Sequence, residues 1–250
     1  MERLSYIGVS GIEVAPAKIA GGWAKLDNSV MSSFKRECTT LGLEIPSFQA
    51  FLFGKPELQL LGDSKTFNLM KDHFKFVCEL ASIAGAKVLV FGAPRNRLLM
   101  GYDFSDGSAL ATERLSVLAD ICWEFELSIG LEAVPKHYGG EIIQSYRESL
   151  DIVKLVNNPG LVFHLDTGCT YLNNDSISKA IYDSSSLIGH FHISQPELSN
   201  FASPVEYHSD AASALKEVDY NGWKCIEMRE GESPLHALEE SIKFVRETYY

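Results

Sequence analysis

The stretch Leu161-Val162-Phe163-His164-Leu165-Asp166-Thr167-Gly168-Cys169-Thr170 decides how this chain reads. Leu161, Val162 and Phe163 form an apolar run that carries a strand up to His164 and Leu165, and Asp166 then opens a polar turn containing Gly168. A run of this kind, without alternation, suits a strand buried on both faces of a parallel sheet. A carboxylate at the C-terminal mouth of such a strand stands where α/β proteins do their chemistry.

Outward from that stretch, strands and helices alternate. Residues 64–84 place Phe67, Met70, Phe74, Val77 and Leu80 at spacings of three and four and stop at Gly85, which predicts a helix; residues 87–91 (KVLVF) then read as a buried strand. Asp27 is expected to cap a helix closed by Gly42, and further helices are expected over 108–127, 141–156, 175–184 and 205–218. Ser233-Pro234 sets the start of the last helix, in the N-cap then N1-proline arrangement. Further strands fall at 11–15, 44–51, 129–134, 188–193 and 224–228. Alternation without a linker predicts one domain over residues 1–250, with a parallel sheet and right-handed crossovers. Seven strands are countable where an eight-fold barrel needs one more. The expectation is that residues 2–7 end a first helix whose preceding strand is not in this chain. Two unpaired sheet edges then remain, unless another segment or a second subunit of a homo-oligomer covers them.

Composition narrows the class. With 46% hydrophobic and 22% charged residues in 250, the chain can bury a sizeable core. A formal charge of -11 disfavours nucleic acid as a partner, because that affinity comes largely from lysine and arginine displacing counterions. No apolar run approaches the roughly 18 residues that a membrane span needs, and MERLSYIG lacks a cleavable signal pattern. Five scattered cysteines without a CxxC spacing read as reduced thiols, so a cytoplasmic protein without a membrane partner is expected.

Four consecutive predicted strands end in a residue able to hold a metal: Glu132, Asp166, His192 and Glu227, spaced 34, 26 and 35 residues apart. Each spacing is about one strand-helix unit, so in a barrel the four side chains converge. Three carboxylates with one imidazole make an oxygen-rich site for Mn²⁺, Mg²⁺ or Co²⁺, with Zn²⁺ less expected in the absence of sulfur. His164 and His190 precede Asp166 and His192 by two and point the same way, one layer deeper. Gln49, Arg95, Arg97 and His208 complete the expected substrate contacts, the arginines for a phosphate or carboxylate.

The segments GIEVAP, FQAFLFG, LVFGAPRNR, LEAVP, HLDTGC, GHFHIS and YNGWKCIEM together resemble the xylose isomerase-like TIM barrels of the sugar phosphate isomerase/epimerase group. GIEVAP resembles that family's second strand. The resemblance implies that Glu132, Asp166, His192 and Glu227 bind one metal, which stabilises a cis-enediolate while Glu132 and Glu227 move protons on a small sugar-like substrate. A non-catalytic barrel binding a sugar-like ligand or a partner is the alternative. Two departures stand out: ketose 3-epimerases of this type carry His where Cys169 stands and Arg where Leu198 stands. Many relatives also have Glu at the position of Gln195. Glu206-x-His208 faintly resembles the extra ligands of a related endonuclease fold, but the second and third family strands supply no histidine.

Overall fold

Six parallel strands lie side by side in chain order, in a computed structural model that describes all 250 residues. They are β1 (Ser47–Phe48), β2 (Val88–Phe91), β3 (Ser128–Glu132), β4 (Leu161–Asp166), β5 (Ile188–Ser194) and β6 (Lys224–Glu227). Parallel neighbours need crossover connections, and helices supply them. Helices α1 (Glu2–Tyr6), α2 (Pro16–Ile19) and α3 (Asn28–Thr40) precede β1, and α4 (Ser64–Ala84) joins it to β2. Next come α5 (Phe104–Trp123), α6 (Tyr146–Val156), the pair α7 (Thr167–Leu172) and α8 (Ile177–Ser184), then α9 (Tyr207–Glu217) and α10 (Pro234–Tyr249). The sheet curls into a half-barrel, the architecture of a TIM barrel lacking a strand. All four residues of β2 are buried, as its unbroken apolar run requires. No helix is long and apolar enough to cross a membrane.

Capping side chains set the helix starts. The Asp63 carboxylate accepts the Thr66 N–H at 2.8 Å, and Gly85 closes α4 at φ 81, where a side chain would be strained. Helix α5 begins at Phe104, four residues before the expected start, because Asp103 accepts the Asp106 N–H. Helix α6 begins later than expected, behind Ser145, whose hydroxyl accepts the Glu148 N–H.

The expected strand over 11–15 is reduced to two isolated bridges, Gly11 with Glu44 and Val14 with Phe48. Its hydrogen bonds run to the expected 44–51 strand, from Ile12 N–H to the Glu44 carbonyl and from Val14 N–H to the Ser47 carbonyl. Pro46 lies between them without an N–H to give, so only Ser47 and Phe48 remain as β1. These residues hold no strand ahead of α1, and β6 has no strand on its outer side. A seam therefore runs between β6, all four residues half-buried, and the 11–14 segment. Trp223 packs against Gly11 there, and a Cβ at Gly11 would sit 2.9 Å from the indole ring. Arg246 donates to the carbonyls of Ile7 (2.5 Å) and Gly8 (2.9 Å), and Arg3 pairs with Glu239, tying α1 to α10.

Candidate metal centre and its cavity

Glu132, Asp166, His192 and Glu227 come together at the C-terminal ends of β3 to β6, with ligand atoms all within 4.8 Å of one another. The ladder shows how. Asp166 is level with His192, whereas Glu132 is level with His164, and Glu227 with Ser194. The barrel's stagger brings residues from different levels to one height. Asp166 is held on both oxygens: Oδ1 accepts the Cys169 N–H and Oδ2 accepts the Ser194 hydroxyl, each at 2.6 Å. It is also the N-cap of α7, a short helix in place of the expected turn. Glu132 needs Gly92 beside it, because a Cβ there would lie 1.7 Å from Glu132 Oε2.

His192 is 1% exposed, and its Nδ1 lies 3.2 Å from Glu227 Oε2 and 3.9 Å from Asp166 Oδ2. Its Nε2 lies 2.8 Å from Oε1 of Glu13, a residue our sequence reading passed over. Glu13 Oε2 accepts from the Ser47 hydroxyl at 2.6 Å and faces His190 Nε2 at 2.9 Å. Burial opposes charge on both Glu13 and His192, yet their mutual attraction wins. It holds the carboxyl well below its ordinary range and the imidazole well above. Burial, then the neighbouring Asp166 and Glu227, pushes the Glu132 carboxyl well up; burial and Glu227 raise Asp166. None of the three carboxylates is paired with a lysine or arginine. Three crowded carboxylates, two of them buried and none paired with a lysine or arginine, supply oxygen donors that fit a divalent ion.

The cluster opens into a cavity of about 730 Å³. Glu132, Glu227, Gln49 and Arg95 line it, as do Cys169 and Leu198. Arg97 does not. The residue is 1% exposed, and its guanidinium donates to the Glu132 carbonyl at 2.9 Å and lies 5.4 Å from the Phe91 ring centroid. Burial lowers it to about 10. The expectation of a mouth arginine at 97 is thus corrected: the side chain braces the end of β3 from behind. His164 and His190 are buried one layer deeper with rings stacked at 5.4 Å, and neither lines the cavity. His208 is also elsewhere, sealed against Phe201 and Phe244 with Nδ1 2.7 Å from the Tyr249 hydroxyl oxygen. His73 is half-buried and bonds the Phe51 carbonyl.

A strap after β5 roofs the cavity. Glu197 N–H donates to the Tyr138 hydroxyl at 2.7 Å, Arg229 N–H donates to the Leu198 carbonyl at 2.8 Å, and Glu197 pairs with His137. Glu197 and Leu198 sit at φ 62 and φ 53.

A family model described as "Xylose isomerase-like TIM barrel" matches residues 1–248. Among solved structures, the chain is similar to a D-psicose 3-epimerase with D-fructose, with TM-score 0.84 and 16% identity over 99% of this chain and 92% of that one. It is similar to the 3-keto-D-glucoside 4-epimerase of E. coli, with TM-score 0.80 and 16% identity over 98% and 92%. It is also similar to a family 2 AP endonuclease from Brucella melitensis, with TM-score 0.77 and 17% identity over 98% and 91%. No curated protein matches it by sequence.

Proposed function

The chain belongs to the xylose isomerase-like TIM barrel family, and on that premise we propose that it is a divalent-metal-dependent isomerase or epimerase of a small sugar, sugar phosphate or related polyol. The observation that carries the reading is the four-donor cluster of Glu132, Asp166, His192 and Glu227 opening on a ligand-sized cavity. A Mn²⁺, Mg²⁺ or Co²⁺ ion held by these four would polarise a carbonyl and the hydroxyl beside it, acidifying the neighbouring C–H. Asp166 is fixed at both oxygens by Cys169 N–H and Ser194, which suits a holding role. Glu13 beside Nε2 leaves His192 Nδ1 turned toward the cluster, as a carboxylate behind a ligating histidine does. Glu132 and Glu227 both line the cavity, so one removes a proton from the substrate carbon and the other returns one. Gln49 and Tyr138 offer hydrogen bonds to hydroxyls, and Arg95 faces any anionic group at the rim.

The endonuclease reading loses its one motif, because His208 lies sealed beside Tyr249. Solvent deuterium exchange next to the carbonyl, across a panel of ketoses, keto-sugars and their phosphates, tests the proposal. Exchange is expected with the metal-loaded protein and lost on chelation. Glu132→Gln and Glu227→Gln should each slow it by about two orders of magnitude or more. A silent panel at full metal occupancy would overturn the isomerase reading, and unchanged variant rates would remove the two glutamates from proton transfer.

A further inference from the structure

The donors at the strand ends stand above a second set. On β4, β5 and β6 the residue two positions before each donor is again able to bind a metal: His164 before Asp166, His190 before His192 and Cys225 before Glu227. Period-two alternation turns each pair to the same face of its strand, one layer apart. On β3 the matching residue is Gly130, which leaves room for His164, since a Cβ there would lie 3.3 Å from the His164 Cβ.

Glu13 enters the lower layer from the other side of the seam. Its carboxylate, His190 and Cys225 bring an oxygen, a nitrogen and a sulfur within 4.8 Å of one another, and Glu13 Oε2 lies 2.9 Å from His190 Nε2. Ring nitrogens of His164, His190 and His192 also fall within 4.8 Å of one another, so His190 belongs to both groups. His164 is 1% exposed, and neither of its ring nitrogens has a hydrogen-bond partner. A buried imidazole in that state has lost its hydration without return, and a ligand that takes its lone pair would restore the balance.

The donor chemistry differs between the two layers. The upper cluster is three carboxylates and one imidazole; the lower one joins imidazole, thiol and a single carboxylate, the mixture that suits Zn²⁺. Zn²⁺ with one carboxylate and one thiolate is neutral overall, as a buried site requires. An ion about 2.1 Å from nitrogen or oxygen and about 2.3 Å from sulfur sets tetrahedral donors roughly 3.5 Å apart, so the contact between Glu13 and His190 has only to open slightly. Cys225 is half-buried on β6, which gives an ion a way in. Glu13 belongs to the 11–14 segment and Cys225 to β6, the two sides of the seam between which no backbone ladder runs.

We propose that Glu13, His190 and Cys225, with His164 as the fourth donor, hold a Zn²⁺ ion beneath the strand-end cluster, and that this ion clasps the seam. The Cys225 thiol gives up its proton to solvent as the Zn–S bond forms. Glu13 keeps Oε1 on His192 and commits Oε2 to the zinc, so one carboxylate touches both centres. The site does not depend on which reaction the upper cluster carries out.

Metal-free full-length protein, refilled with Zn²⁺ or Co²⁺ in excess Mg²⁺, tests this. Cys225→Ser should bind one Zn²⁺ fewer per chain than the parent. Co²⁺ should give the parent a thiolate-to-cobalt charge-transfer band that Cys225→Ser lacks. Cys169→Ser, altered at the thiol beside Glu132, should keep that band. Glu227→Gln should keep it too, which separates damage to the upper cluster from damage to the lower. Zn²⁺ at about 100 times its dissociation constant should raise the parent's melting temperature by about 5 °C or more, and that of Cys225→Ser by far less. Should that variant fail to fold, alkylation of the unaltered chain decides: the same Zn²⁺ level should slow labelling of Cys225 by about 100-fold, and Mg²⁺ should not. Equal Zn²⁺ content in parent and variant, a band that survives Cys225→Ser, or labelling indifferent to Zn²⁺ would overturn the proposal.

Discussion

The two sides of the half-barrel are built differently. Strands β2 to β5 form a closed sector in which nearly every side chain is buried, and Glu132, Asp166 and His192 emerge from it at 8%, 3% and 1% exposure. The seam formed by β6 and the 11–14 segment has an interrupted ladder and half-buried residues. Yet the seam contributes two carboxylates to the cluster and its immediate surroundings. Glu227 reaches the cluster from β6 with a side chain 21% exposed, and Glu13 reaches behind His192 from between the two bridges. The closed sector fixes where donors stand, by close packing around them. The seam sets Glu13 and Glu227 on opposite ring nitrogens of His192.

A change in the closed sector should do the most damage. Gly92→Ala would put a Cβ where Glu132 Oε2 lies. Since a carboxylate end can swing away, the fold should survive while deuterium exchange falls about 100-fold or more. Normal exchange with normal melting would show that Glu132 has more freedom than its neighbours suggest. On the seam, Glu13→Gln keeps the shape but removes the charge beside His192. Metal affinity should weaken by about 10- to 100-fold with little change in circular dichroism. If the metal dissociation constant did not move, Glu13 would be a packing residue and the contrast between the two sides would lose its chemical content. The smallest effect belongs to the seam's outer edge. Arg3→Ala breaks a half-exposed pair with Glu239 and should alter the unfolding free energy by less than about 1 kcal/mol. A larger loss in denaturant titration would mean that α1 does more to close the barrel than its few ties indicate.

The closed sector is also what the sequence displays most openly. Helix α4 was legible because its apolar spacing and Gly85 are local signals. The four strand-end donors were legible from spacing, since each side chain needs only its own strand to place it. What was hidden depends on distant partners. Glu13 sits in an Ile12-Glu13-Val14 alternation that looks like any half-exposed strand, and its partners are His190 and His192, far along the chain. Arg97 carries no local sign that Phe91 and the Glu132 carbonyl enclose it. Helix α5 started early because Asp103 was not weighed as a cap, and the 11–15 strand failed because Pro46, a residue of its neighbour, broke the ladder. A polar residue among apolar ones in the segment facing the seam was the one available hint to Glu13.

The strap over the cavity has a consequence for how such a protein can change over generations. Its ties across the roof use the Glu197 N–H and the Leu198 carbonyl, both main-chain groups, and a further main-chain bond joins Leu198 N–H to the Gln195 carbonyl. The side chain at 198 therefore carries none of the strap's hydrogen bonds while projecting into the space where a ligand is recognised. A replacement at 198 that tolerates φ 53 can therefore change the cavity wall while leaving the strap's main-chain ties in place.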